Sequence, residues 1–213
     1  MADAKPQQLI ILFTSGFQSN FDLMPRVFTT IQQIRGQFSD PPHPILLLDI
    51  GGVHSADSWI CQATENRAPY LILDAMGYAV SRADGLDVGG IIGLQEVVQM
   101  KLMDDSIVYP WRWRDIIINV GSKGDVPCVT WATNFPSPPP DEIYTHELDG
   151  HLRLHSVDGA IGMIRADLPT LTVLESKRIA FSSTARPDPT IVAAIEFVER
   201  EAHHYAQKRG GQG

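Results

Sequence analysis

Only two cysteines occur in 213 residues, which excludes a disulfide framework of the kind that holds small secreted domains together. Cys61 and Cys128 lie far apart and in no CxxC spacing, so a structural zinc site is not indicated either, and both read as reduced, buried thiols. Positive charge is the minority. Seventeen lysines and arginines stand against 25 acidic residues, a net charge of −8. That balance argues against nucleic acid as a partner, because a phosphate backbone needs clustered cations. Long apolar runs are missing too. The longest, residues 9–13 and 45–48, are strand-sized and far short of the roughly 20 residues that span a bilayer, which excludes a membrane segment. Residues 1–8 are polar and contain Pro6, without the apolar stretch of a secretory signal. The expectation is a soluble, cytoplasmic protein. Nucleotide and nucleophile motifs are also lacking. Gly121-Ser122-Lys123-Gly124 does not have P-loop spacing, no GxGxxG follows a strand, and no GxSxG elbow occurs.

What is present is the make-up of an ordinary globular chain, 44% apolar and 20% charged. A body of this size buries roughly seven-tenths of its unfolded surface and needs no metal or disulfide to fold. No repeat and no convincing linker divides it, so residues 1–213 are read as one domain, with flexible tails at 1–8 and 209–213. The unbroken apolar run at 9–13 suits a strand buried on both faces. Residues 21–38 carry apolar side chains at helical spacing, and Ile45 to Asp49 form a second buried strand closed by Gly51-Gly52. Residues 57–77 read as one or two helices broken near Pro69 and stopped by Gly77. A short third strand follows at 79–81, then glycine turns at Gly85 and Gly89-Gly90, then a short helix over 94–103. This alternation is that of an α/β sheet with crossover connections.

The second half reads as strands at 107–109, 115–120, 126–131, 142–148, 151–157, 159–166 and 171–181, with a proline-rich loop at 136–140. It closes on an amphipathic helix from Pro189 to about Lys208.

Four strand-end segments, taken in order, resemble the N-terminal metallophosphoesterase domain of the 5′-nucleotidase family, within the calcineurin-like superfamily. Leu12-Phe13-Thr14-Ser15-Gly16-Phe17-Gln18-Ser19 stands where the family has an apolar strand entering Thr-Asn-Asp-x-His-Gly. Leu47-Leu48-Asp49-Ile50-Gly51-Gly52 stands for Asp-x-Gly-Asp. The segment 73–87, with Gly77-Tyr78 and Asp84-Gly85-Leu86-Asp87, fills the place of Gly-Tyr-Asp and Gly-Asn-His-Glu-Phe-Asp. Val126-Pro127-Cys128-Val129-Thr130-Trp131-Ala132-Thr133-Asn134 is similar to the family strand Phe-Pro-x-Leu-x-Ala-Asn. The implied fold is α/β, a layered metallophosphoesterase-like sheet sandwich flanked by helices.

The metal chemistry of that family is not matched. Two cations held a few ångströms apart need carboxylates, an amide and imidazoles. The first-strand Asp of the family falls on Gly16, its His on Gln18 and the bridging Asp on Gly52, while the Asn-His pair falls on Asp84 and Gly85. The family's later His and Gly-His-x-His segment has no counterpart before Gly213, and the expectation is a degenerate, truncated member. The resemblance therefore implies a non-catalytic binding or interaction protein with no cofactor. Its cleft is drawn at Ser15, Gly16, Phe17, Gln18, Gly51, Gly52, His54, Asp84 and Asp87, with glycine-turn N–H groups able to hold a small anionic or nucleotide-like ligand. The alternative is a phosphoesterase that holds a divalent metal through relocated ligands, His54, Asp84 and Asp87 with Asp49.

Two further clusters call for a reading. Asp149-Gly150 implies a two-residue hairpin turn that pairs Leu148 with His151, His146 with Arg153 and Tyr144 with His155. Tyr144, His146, His151, Arg153 and His155 then share a solvated face, with Ile143, Leu152 and Leu154 on the other. Trp111-Arg112-Trp113-Arg114 interleaves aromatic and basic side chains, the pattern of a sheet edge or an interface to an unidentified protein or a second copy.

Overall fold

The apolar run near the start of the chain becomes β1 (Gln8–Thr14), the middle of a six-stranded sheet. The computed structural model describes residues 8–39, 43–104, 110–120, 128–131, 142–148, 150–168 and 170–210. After β1 come α1 (Met24–Gln37), β2 (Ile45–Asp49), α2 (Trp59–Ala63), α3 (Ala68–Ala75), β3 (Val80–Arg82), α4 (Val88–Gln95) and β4 (Lys101–Met103). The second half adds β5 (Trp111–Trp113), β6 (Ile116–Val120), β7 (Cys128–Trp131), β8 (Tyr144–Leu148), β9 (His151–Leu154), β10 (Ala160–Asp167), β11 (Thr172–Ala180) and α5 (Pro189–Gly210).

The first sheet has the order β11-β10-β1-β2-β3-β4, and the second has β5-β6-β7-β9-β8. β1 to β4 run parallel, as crossover helices require, and β10 and β11 add antiparallel strands beside β1. Strand alternation explains why β1 is apolar without a break. Leu9, Ile11 and Phe13 pack toward the second sheet with Ile116, Ile118, Val129, Trp131, Leu152 and Leu154. Ile10 and Leu12 face the helices, where Val27, Ile31, Leu73, Leu94 and Ile191 meet them. Helices, first sheet and second sheet thus form three layers, and the described helices all lie on one side. No helix among the described residues is long and apolar enough to cross a membrane.

Several sequence expectations are met closely. Ile45 to Asp49 is β2, Pro69 sits in the first turn of α3, and Gly77 leaves α3 with φ +74°. The helix expected over 94–103 is corrected. The helix is α4, earlier in the chain, and Lys101–Met103 is a strand. The Asp87 carboxylate caps α4 by accepting the Gly90 N–H at 2.6 Å, so Gly89 and Gly90 are helical and not a turn. The Gln95 side chain then fixes β4 by bonding the Met100 carbonyl and the Leu102 N–H, both at 2.9 Å. The expected strand at 107–109, the proline-rich loop at 136–140 and the tail beyond 210 lie outside the described residues.

The hairpin register is also corrected. Leu148 does pair with His151, but an irregularity between His146 and Leu148 shifts the rest, so that His146 pairs with Leu152, Thr145 with Arg153 and Tyr144 with Leu154. Tyr144 consequently packs on the core between the sheets and leaves the histidine face. His151 on that face is buried and not solvated, and its Nδ1 has no hydrogen-bond partner.

Candidate functional site

The ends of β1, β2 and β3 converge, and glycine makes the convergence possible. Gly16 (φ +68°), Gly51 (φ +121°) and Gly52 (φ +73°) all occupy backbone conformations that favour glycine. A Cβ placed on Gly52 would lie 3.1 Å from both Cα and N of Gly16. The two strand ends therefore meet backbone to backbone, stitched by the Gly16 N–H to the Gly51 carbonyl at 2.9 Å and the Gln18 N–H to the Gly52 carbonyl at 2.8 Å.

Side chains from other loops fill the surrounding space. A Cβ on Gly16 would fall 2.5 Å from Oδ1 of Asp158, a residue of the turn before β10. That carboxylate accepts hydrogen bonds from the Ser15 hydroxyl at 2.9 Å and the Ser156 hydroxyl at 2.6 Å. The Val157 N–H donates to Ser15 Oγ at 2.8 Å. Beside Gly51 stand Arg82 and Asp84, with the Asp84 carboxylate 3.2 Å from where a Cβ would be. Asp84 Oδ2 accepts the Gly52 N–H at 2.7 Å, and the Tyr70 hydroxyl donates to the Asp84 carbonyl. A Cβ on Gly85 would strike the His54 imidazole at 2.5 Å.

The electrostatics are those of a desolvated acidic corner. Asp49 is fully buried; its Oδ2 accepts from the Ser81 hydroxyl at 2.9 Å, and its Oδ1 has no hydrogen-bond partner. Burial, reinforced by the Asp84 charge, pushes the Asp49 carboxyl up to about 8, against the hydrogen bonds from Ser81 and the Gly51 N–H. Burial likewise raises the Tyr70 and Tyr78 hydroxyls above their ordinary range.

Of the nine residues drawn from the sequence, Ser15, Gly16, Gly51, Gly52, His54 and Asp84 do surround the β1–β2 junction. Phe17 does not line a cleft. It is buried, with its ring stacked 6.0 Å from Phe181. Gln18 is exposed in a left-handed conformation, φ +48°. Asp87 serves the α4 cap and lines a separate hollow with Glu65, Asn66 and Gly89. Three of the N–H groups expected to hold an anion are committed, those of Gly16 and Gln18 to carbonyls and that of Gly52 to Asp84. Asp158, Ser156, Tyr70 and Arg82 were not visible as site residues. Ser15 and Asp158 stand 143 positions apart, and no local pattern joins them.

Glycine stands at the strand-end positions 16 and 52, Asp84 accepts a backbone N–H, and His54 Nδ1 lies 4.0 Å from Asp84 Oδ1 without a hydrogen bond. Among the described residues, no three His, Cys, Asp or Glu side chains come together as a metal would require. Among the described residues, the Ser15 hydroxyl bonds Ser156, Asp158 and the Val157 N–H, and no imidazole is among its partners.

The aromatic-basic segment is an edge strand of the second sheet. Trp111 and Trp113 lie half-buried against the core between the sheets. Arg112 and Arg114 are exposed, the latter 5.1 Å from the Trp113 ring centre.

Sequence comparison finds no matching protein family and no curated protein similar to the chain. Solved structures do match. The sulfate thiohydrolase SoxB of Thermus thermophilus, determined with glycerol, superposes with a TM-score of 0.63 at 7% identity. The match covers 92% of this chain and 61% of that one. SoxB has the metallophosphoesterase fold, and the likeness assigns that layered α/β fold here.

Proposed function

We propose that the chain is a metallophosphoesterase-fold protein that works by binding a protein partner and not by metal-dependent hydrolysis. The observation that carries this reading is the contact between Gly16 and Gly52, where a Cβ would already be 3.1 Å from backbone. Two-metal catalysis needs room for cations and for the side chains that hold them. At this junction the strand ends themselves and Asp158 take up that room. The committed N–H groups argue in the same direction against an anion held by the glycine turns.

Hydrolysis by relocated ligands draws on one observation, the buried Nδ1 of His54, which makes no hydrogen bond and lies 4.0 Å from the Asp84 carboxylate. One experiment separates the two readings. Metal content of the purified protein is measured alongside turnover of bis-p-nitrophenyl phosphate, with manganese, zinc or magnesium added. The binding reading expects no stoichiometric metal and no metal-dependent turnover. One or two equivalents of metal, with turnover lost in His54→Ala and Asp84→Asn, would overturn it.

A further inference from the structure

The helical layer carries an apolar groove that nothing in the chemistry of the strand ends uses. It runs between α4, α5 and the turn joining α2 to α3, with a volume of about 330 Å³. Leu94 and Val198 in its floor belong to the core, yet several large apolar side chains at its mouth remain outside. Val97 is 69% exposed, Phe197 56% and Tyr205 49%. Single exposed apolar residues are ordinary, but here Val97, Phe197 and Tyr205 line one groove together.

Gly93 on α4 is a second observation. It is helical, has no left-handed φ, and a Cβ built there meets nothing within 4 Å. Neither sterics nor backbone conformation demands glycine at a position where glycine weakens the helix. Its effect is to leave the groove wall low, so that another backbone can come close. The third observation is charge. Glu65 at the rim is paired with Arg67 at 3.7 Å, whereas Glu201 has no ion pair among the described residues. Glu201 lies between Phe197 and Tyr205 on one stripe of α5, at successive intervals of four.

We propose that this groove is the docking site for an amphipathic helix of another protein, one that carries a lysine or arginine about one turn from its apolar anchors. The helix-in-groove mode suits walls made of helices, and the cation would answer Glu201. A second copy pairing two-fold along the same stripe would bring the two Glu201 carboxylates together, which opposes self-association there. An anionic membrane surface is opposed by Glu201 and by the net charge of −8. The proposal gives a surface to the binding reading but does not depend on it, since a hydrolase could carry the same groove.

The test uses the full chain with a fluorescent 18-residue leucine/lysine helical peptide, its leucine/glutamate counterpart, and phosphatidylglycerol-containing vesicles. The leucine/lysine peptide is expected to bind in preference to the glutamate one. Gly93→Leu should weaken binding at least tenfold without lowering the melting temperature, because the added side chain enters open space and leaves net charge unchanged. Phe197→Ser should weaken it similarly, and Glu201→Lys should cut the preference for the lysine peptide at least threefold. Equal affinity for both peptides would overturn the proposal, as would binding untouched by Gly93→Leu. Phe197-dependent vesicle binding or Phe197-dependent dimerisation would reassign the groove to a membrane or to a second copy, and would overturn it too. None of these failures bears on metal content or turnover, so the strand-end reading is judged separately.

Discussion

Replacing Asp49 with asparagine should change the pH dependence of stability in a calculable way. Asp49 is completely buried at the end of β2, with one carboxylate oxygen bonded to Ser81 and the other without a partner. Its carboxyl moves from 3.8 in the unfolded chain to about 8 in the fold. Between those values the folded protein holds a proton that the unfolded chain has released. Folding therefore takes up a proton, and stability falls as pH rises from about 4 to about 8, then levels off. The slope is about 1.4 kcal/mol per pH unit, and across the window the loss is roughly 5–6 kcal/mol. The substituted asparagine cannot be charged, so the variant lacks this loss; its oxygen can accept from Ser81 in place of the carboxylate. Its NH2, set where the unpartnered oxygen was, costs about 1–3 kcal/mol at every pH. Relative to the parent, Asp49→Asn should thus gain about 4 kcal/mol between pH 5 and pH 8. Urea unfolding at pH 5, 6, 7 and 8 measures this. Parallel stability curves for parent and variant would refute the reasoning, because they would show that Asp49 takes up no proton on folding.

Two other substitutions probe close contacts. Gly52→Ala must adopt φ +73° and place its Cβ 3.1 Å from the Gly16 backbone, so it should lose about 2–4 kcal/mol in chemical denaturation; a loss below about 0.5 would show that the strand ends are not in contact. Gly162→Ala would drive a methyl into the ring of fully buried Phe13 and should cost about 2–3 kcal/mol, and Gly162→Ala combined with Phe13→Leu should cost less than the two separate losses together, whereas simple additivity would count against the contact.

How much of this was legible in the sequence varies from element to element. β1 and β2 could be read because a strand covered on both faces shows as an unbroken apolar run, a strong signal in five to seven residues. α4 and β4 could not be placed. Gly89-Gly90 has the composition of a turn, and only the Asp87 cap and the surrounding packing make it helical. β4 has three residues and is held by Gln95 and its pairing to β3, neither of which has a local signature. The hairpin register failed at one irregular position, which was enough to send Tyr144 into the core. At the candidate site, Gly16, Gly51 and Gly52 were visible because backbone of that shape favours glycine. Asp158 was not, because its place beside Gly16 is made by the pairing of β1 with β10 and by nothing near it in sequence.

That pairing also determines when the molecule can be completed. β1 bonds β2 on one side and β10 on the other, joining Gln8 to Asp167 and Phe13 to Gly162. Contacts so distant along the chain carry a large loop-closure cost before they repay it, and they slow folding. During synthesis, this strongly apolar strand has one open hydrogen-bonding edge until β10 has left the ribosome. Such an edge is a template for other unpaired strands. The central strand that anchors both cores therefore waits, open along one edge, until residues 160–167 have followed it out.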